Sequence, residues 1–471
     1  MTRSAAVRRA SAGAIVGVVL GSGALLALPT GPELQAVVSF DGAPRTVAGV
    51  TVIGRLPNLD MAVVRGPESA LAQLARTPGV RGLDLDNSVQ LDSRHDDDSS
   101  GAWLASQGLG GSAGLAGAGA HIRIALVDTG VTDTAALNRA SGRLVDAVDA
   151  SNPGELRTGG VYDDGYGHGT FMASVIAGAA VNGTRGKALG VAPGATVLNV
   201  RVAKSDGTTS LSRVLGGLDW VRGHASQVDV ANLALSHDRP QKAYGADPLT
   251  DAVEKVRAAG VTVVVASGNE PGKVGDPGFD PRVLTVGAAD VDSGRVAAFS
   301  GSDVVDGYAK PDVVASGVNV LGLLPKGSVI ERAASTKHLA NGLFRGSGTS
   351  QATAITSGLA AIYLAANPGS TALQVKSAIR CAAGDLHGKR DGAGLVETTT
   401  TPCSGPDGQA LDGSGDASGE ADFDASSWSA SSWSASSWSA SSWSASSWSA
   451  SSWSVGSWGC NGDCPDGGTD S

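Results

Sequence analysis

Three side chains of this 471-residue sequence could together perform acyl transfer: Asp128, His168 and Ser350. Ser350 sits in Gly346-Ser347-Gly348-Thr349-Ser350-Gln351-Ala352, where small residues lead into an apolar run that ends at Ala366, before Asn367-Pro368-Gly369. The pattern predicts a serine on the first turn of a buried helix. Free backbone N–H groups and the positive end of the helix dipole would then meet an oxyanion forming beside it. A lone Gly-Thr-Ser is otherwise an ordinary helix cap. It becomes a nucleophile only if the chain also supplies a base and a carboxylate to orient that base.

Two upstream stretches supply them. His121-Ile122-Arg123-Ile124-Ala125-Leu126-Val127 reads as a strand with Asp128-Thr129-Gly130 at its carboxyl end, where open α/β sheets place their chemistry. Gly165-Tyr166-Gly167-His168-Gly169-Thr170 opens a small-residue helix expected over 171–180. A carboxylate at a strand end and a histidine at a helix start can converge on Ser350.

Asp128-Thr129-Gly130, His168-Gly169-Thr170 and Gly348-Thr349-Ser350, with Gly190-Val191-Ala192-Pro193 and Lys310-Pro311-Asp312-Val313, resemble in kind and order the signatures of the subtilisin-like serine proteases, or subtilases. The resemblance covers roughly residues 119–396. It implies a serine endopeptidase in which Ser350 attacks, His168 moves the proton and Asp128 orients the imidazole. It also gives Asn269, in Ser267-Gly268-Asn269-Glu270, the role of oxyanion donor; on its own a Gly-Asn pair reads as a turn. By the same resemblance Ala234, Leu235 and Ser236 form the substrate-binding edge. Four residues depart from the family pattern: Ala234 replaces a serine, Ser236 replaces a glycine, and Ala354 and Ser316 stand where proline is usual.

The elements that must position these residues alternate. Short β-branched runs at 197–202, 228–235, 261–266 and 283–286 suit a buried parallel sheet, and helical patterns lie between them at 211–221 and 249–259. The rhythm predicts an α/β fold: a doubly wound, mostly parallel sheet with helices on both faces. A protease domain is expected over 100–403. An apolar content of 42% with only 4% aromatics fits a core of Ala, Val, Leu and Gly, and a net charge of −10 argues against nucleic acid as a partner.

Other segments flank this domain. Arg3, Arg8 and Arg9 precede an apolar run at 10–28, the form of a secretory signal over 1–30, with an uncleaved anchor as the alternative. Residues 32–94 read as a small α+β unit, with strands at 34–40, 60–64 and 80–91 and a helix at 68–76. Its place before a protease resembles an inhibitory propeptide; an accessory domain is the other reading. An acidic linker, His95-Asp96-Asp97-Asp98, follows.

Four cysteines in a secreted chain favour disulfides, and sequence proximity favours Cys381–Cys403 and Cys460–Cys464 among three pairings, with zinc as the competing reading. Over 404–471 the composition collapses, and Ala-Ser-Ser-Trp-Ser recurs. A five-residue period gathers its tryptophans on neither a strand face nor a helix stripe, so disorder is expected, with binding to a cell-wall polymer as a conceivable use. The expected protein is thus a secreted or cell-surface endopeptidase acting on proteins or peptides. The chemistry needs no cofactor and no metal, although the resemblance allows structural calcium with ligands unknown. An inactive surface-binding protein on the same fold, and an esterase or ligase using the same triad, are the competing classes.

Overall fold

The computed structural model describes residues 32–42, 47–91, 114–184, 186–237, 247–305, 307–333, 342–386 and 390–403. The apolar N-terminal run, the acidic linker, Cys460, Cys464 and the tryptophan repeat lie outside the described residues.

The N-terminal unit comprises β1 (Glu33–Phe40), β2 (Thr51–Leu56), β3 (Met61–Pro67), α1 (Glu68–Leu74), β4 (Val80–Leu85) and β5 (Ser88–Leu91). The first four strands form one sheet in the order β2-β3-β1-β4. Its strands are apolar on both faces because both faces are covered. Ala36, Val38, Phe40, Ala62 and Val64 pack with Leu71 and Leu74 of α1, while the alternate residues Val37, Met61 and Val63 join the core of the large domain.

The large domain continues with β6 (Arg123–Asp128), β7 (Leu144–Asn152), β8 (Glu155–Arg157), α2 (His168–Ala177), β9 (Thr196–Arg201), β10 (Thr209–Ser210), α3 (Leu211–Gly223), β11 (Val230–Leu233), β12 (Leu235–Ser236), α4 (Pro248–Ala258) and β13 (Thr262–Ala266). It ends with β14 (Leu284–Asp290), β15 (Arg295–Val296), β16 (Asp303–Val305), β17 (Tyr308–Lys310), β18 (Val313–Ser316), β19 (Val320–Leu323), α5 (Val329–Ala333), β20 (Leu343–Gly346), α6 (Thr349–Ala366) and α7 (Ala372–Ala382). Strands β18, β14, β13, β11, β6, β9 and β7 lie side by side in parallel, with β15 and β8 antiparallel at the margins. This is the expected doubly wound sheet. Every residue of β11 and β13 is buried, as a sheet covered on both faces requires.

Two expectations change. The strand expected over 80–91 is two strands in different sheets, because Asp86 and Asn87 interrupt it. The strand expected over 228–235 breaks at Ala234, where the chain leaves the main sheet. Strand β5 then lies between β10 and β12 in a separate three-stranded sheet, antiparallel to both, with Val89 opposite Thr209, Gln90 opposite Ser236 and Leu91 opposite Leu235.

The unit docks on α3 and α4. Asp86 Oδ1 accepts from the Ser212 amide at 2.6 Å, and the Asn87 carbonyl accepts from the Leu211 amide at 3.0 Å, so the N-terminal unit caps the start of α3. The cap residue of α3 itself, Ser210, makes no side-chain capping bond. Asp219 accepts from the Asn58 backbone N–H at 2.7 Å, and Arg81 holds Asp251 with two bonds of 2.8 Å. Lys255 pairs with Asp60 at 3.0 Å. Gly54 meets Gly154 of the β7–β8 hairpin so closely that a β-carbon on Gly54 would lie 2.6 Å from Gly154 Cα, and one on Gly154 would lie 2.3 Å from the Ile53 carbonyl oxygen.

Behind the sheet, Lys310 and Asp312 of the Lys-Pro-Asp-Val motif form a buried ion pair at 2.9 Å, and Lys376 of α7 reaches the other Asp312 oxygen at 3.0 Å. Cys381 and Cys403 are joined by a disulfide, as proximity suggested.

Candidate active site

Asp128 ends β6, and His168 is the first residue of α2. Both are 1% exposed. His168 Nδ1 lies 2.8 and 2.9 Å from the two Asp128 oxygens. With a carboxylate at Nδ1 the ring proton belongs there, which leaves Nε2 as the basic nitrogen. Close approach explains the glycine after the histidine, since a β-carbon on Gly169 would lie 2.2 Å from the Gly130 carbonyl oxygen.

Sequence reasoning missed the residue that holds these two segments together. Asp164 is buried, and its Oδ1 accepts from Thr129 Oγ1 at 2.8 Å, the Gly167 amide at 2.7 Å and the Tyr166 amide at 3.1 Å. Its Oδ2 accepts from the Thr170 amide and hydroxyl at 2.8 and 2.9 Å. Thr129 Oγ1 in turn accepts from the Gly169 amide at 2.9 Å, so one carboxylate joins the Asp128 turn to the His168 helix. Burial pushes the Asp164 pKa up, the amides of Gly167 and Thr170 pull it back, and the charge of Asp128 adds to the rise. An aspartate four residues before the histidine was its only signal.

Ser350 is the second residue of α6 and fully buried; Gly348 holds the cap position, so the serine is not the helix cap. Its hydroxyl donates to the Ala234 carbonyl at 3.0 Å. Asn269 follows β13, and its side-chain oxygen accepts from the Thr349 amide at 3.0 Å and hydroxyl at 3.1 Å. That oxygen is committed to the start of α6. The Gly-Val-Ala-Pro motif clamps α2 and α6. The amides of Val191 and Ala192 donate to Val175 and Ile176 at the end of α2, at 3.0 and 2.8 Å, and Val191 packs against Gly358 of α6.

The structure thus gathers Asp128 with His168, and Ser350 with Asn269 and Ala234. Leu235 and Ser236 form β12, paired with β5. Cys381 and Cys403 lie at α7 and the end of the described domain. Among the described residues no group of three or more His, Cys, Asp or Glu is placed to hold a metal ion.

A sequence model described as the subtilase family matches residues 119–405. The chain belongs to the subtilase family. It is 32% identical over 282 residues to serine protease AprX of Bacillus subtilis, covering 56% of this chain and 61% of that protein. It is 33% identical to alkaline elastase YaB of a Bacillus species, covering 60% of this chain and 65% of that protein. With subtilisin Savinase of Lederbergia lenta the identity is 34%, over 60% of this chain and 90% of that one. The match spans less than two thirds of the first two relatives. Among solved structures, fervidolysin from Fervidobacterium pennivorans, described as a keratinolytic enzyme related to subtilisin, superposes with a TM-score of 0.60 at 20% identity. That match covers 78% of this chain and 60% of fervidolysin, and it supports the fold. In this subtilase no helix among the described residues is long and apolar enough to cross a membrane.

Proposed function

We propose that this subtilase is a secreted serine endopeptidase that forms an acyl-enzyme on Ser350 and is made with its N-terminal unit lying in its own substrate cleft. The observation that carries the reading is the contact of His168 Nδ1 with both Asp128 oxygens, in the same domain as a buried helix-start serine whose hydroxyl touches the substrate edge at Ala234. Ser350 Oγ attacks the peptide carbonyl, His168 Nε2 takes the proton and returns it to the leaving amine, and Asp128 stabilises the imidazolium. The Asn269 amide and the Ser350 backbone N–H receive the oxyanion. This chemistry requires no cofactor; structural calcium, with no ligands assigned, belongs to the family resemblance alone.

The position of β5 supports the propeptide reading. An extended substrate would pair with the same main-chain groups of β10 and β12, and β5 runs antiparallel to β12 towards Ala234, the partner of Ser350. Release of the unit therefore requires a cut shortly after Leu91.

A fluorophosphonate probe tests the nucleophile: wild-type protein is expected to be labelled and to digest casein, and Ser350→Ala to do neither. Adding His168→Ala to Ser350→Ala should change little, because the two act as a unit. N-terminal sequencing should find wild type beginning within the residues after Leu91 and Ser350→Ala retaining the unit. Asn269→Leu should lower turnover by about 10²–10³ with little change in KM, the range known for loss of the oxyanion-hole asparagine in subtilisin itself. Casein hydrolysis by unlabelled Ser350→Ala would overturn the assignment.

A further inference from the structure

Strand β11 is buried along its whole length between β6 and β13, yet it contains an asparagine, Asn232. The residue is fully buried. Its Oδ1 accepts from the Ser357 hydroxyl at 2.9 Å, and among the described residues its Nδ2 meets no acceptor. A buried amide with unused donors costs stability, and an apolar side chain in that place would avoid the cost. A local choice that works against stability marks a functional position.

Ser357 is the other half of the pair. It follows Ser350 on α6 by seven residues, about two turns, and so lies on the same stripe of the helix. Ser350 touches the Ala234 carbonyl, and Ser357 touches Asn232 two positions earlier, so one stripe of α6 is fastened twice to one line of chain. The hydroxyls between them, Thr353 and Thr356, donate instead to the Thr349 and Ala352 carbonyls of α6 itself, at 2.8 and 2.9 Å. The first turn of α6 is held already: the Gly348 amide donates to the Gly317 carbonyl at 2.7 Å, and the Thr349 amide to Asn269 at 3.0 Å. A rod held at one end still pivots. The bond from Ser357 supplies a second point about 10 Å further along, at about 1.5 Å of rise per residue.

We infer that Asn232 and Ser357 are positioning residues for the proposed acyl transfer: their hydrogen bond fixes the tilt of α6 over β11 and so keeps Ser350 Oγ where its attack requires it. The inference rests on the proposed catalytic reading, and its test separates the two. Asn232→Leu combined with Ser357→Ala replaces both partners by apolar groups of similar shape, a change close to neutral for stability. Processed wild type and this double variant are compared in kcat and KM on one peptide p-nitroanilide, with active enzyme counted by fluorophosphonate end-point titration, and in thermal unfolding of the labelled proteins. The double variant is expected to melt at or above the wild-type temperature and yet to lose about tenfold or more in kcat with KM little changed, because a displacement of about 1 Å can cost on the order of 10²-fold. Ser357→Ala alone, which strands the Asn232 amide, should lower both the melting temperature and kcat. A double variant that keeps its kcat would overturn the inference, as would a loss confined to KM. A kcat loss accompanied by a lower melting temperature in the double variant would assign the pair to stability alone and overturn it too. Failure of wild type to label would instead remove the catalytic reading, and the positioning inference with it.

Discussion

Two charged regions hold parts of this molecule together, and they differ in what surrounds the charges. Where the N-terminal unit docks, Arg81 meets Asp251 and Lys255 meets Asp60 with at least one partner well exposed or rimmed by solvent: the side chains of Arg81 and Asp60 are 31% and 55% accessible. Behind the main sheet, Lys310, Asp312 and Lys376 are 1 to 4% accessible, and Lys310 also donates to Thr285 Oγ1 at 3.1 Å while the Thr285 amide donates to Asp312 at 2.7 Å. Exposed pairs contribute little and chiefly set orientation. A buried pair contributes little net stability as a pair, yet removing one partner strands the other charge without water. The contrast suits the propeptide reading proposed above, in which the unit leaves and the sheet stays closed.

Breaking the interior network should have the largest effect. Asp312→Asn leaves two buried ammonium groups facing an amide, and a loss on the order of 3–5 kcal/mol is expected in denaturant unfolding of the processed domain. A loss under about 1 kcal/mol would mean that water reaches the network and would erase the contrast.

The same region should also carry a pH signature. Burial and then the charge of Glu254 push the Asp280 carboxyl up to about 7, while nearby Lys310 is lowered to about 8 by burial, against the pull of Asp312. A carboxyl whose pKa is raised in the folded state keeps its proton after the unfolded chain has lost it. Its contribution is therefore complete below about pH 4 and is lost as pH rises towards about 7, at no more than about 1.4 kcal/mol per unit. Asp280→Asn should flatten that slope in thermal unfolding between pH 4 and 7; an unchanged slope would assign the titration to another group.

The smallest effect is expected at the docking surface. Arg81→Ala should weaken inhibition of the processed enzyme by the separately added N-terminal unit by about 1 kcal/mol or less, roughly fivefold at most, and more at low salt than at high. A loss of a hundredfold would show this ion pair to be an anchor, equal in weight to the buried one.

The sequence made these regions legible to different degrees, for a physical reason. Strands β6, β9 and β13 are buried on both faces and so announce themselves as apolar β-branched runs, and the segments bearing Asp128, His168 and Ser350 are marked by glycines that permit close approach. Strands β10 and β12 are two residues each and bind β5 through main-chain groups, which every sequence possesses, so no pattern pointed to β10, and β12 was marked as an edge only by the family resemblance at Ala234, Leu235 and Ser236. Asp164 was nearly invisible because its value lies in five donors from two stretches of chain, Thr129 and 166–170, a convergence without period. Lys310 and Asp312 were recognised as a motif, but their pairing with Lys376 depends on where α7 packs.

The contact of Gly54 with Gly154 bears on interchangeability. Each backbone occupies the space where the other would carry its first side-chain carbon, so neither position accepts alanine unless the hairpin or the unit moves. A foreign N-terminal unit grafted onto this domain would need a glycine where β2 crosses the β7–β8 hairpin, however well its remaining surface matched. The two glycines are therefore a compatibility code: they tie this unit to this domain by excluding matter, where the ion pairs around them only align it.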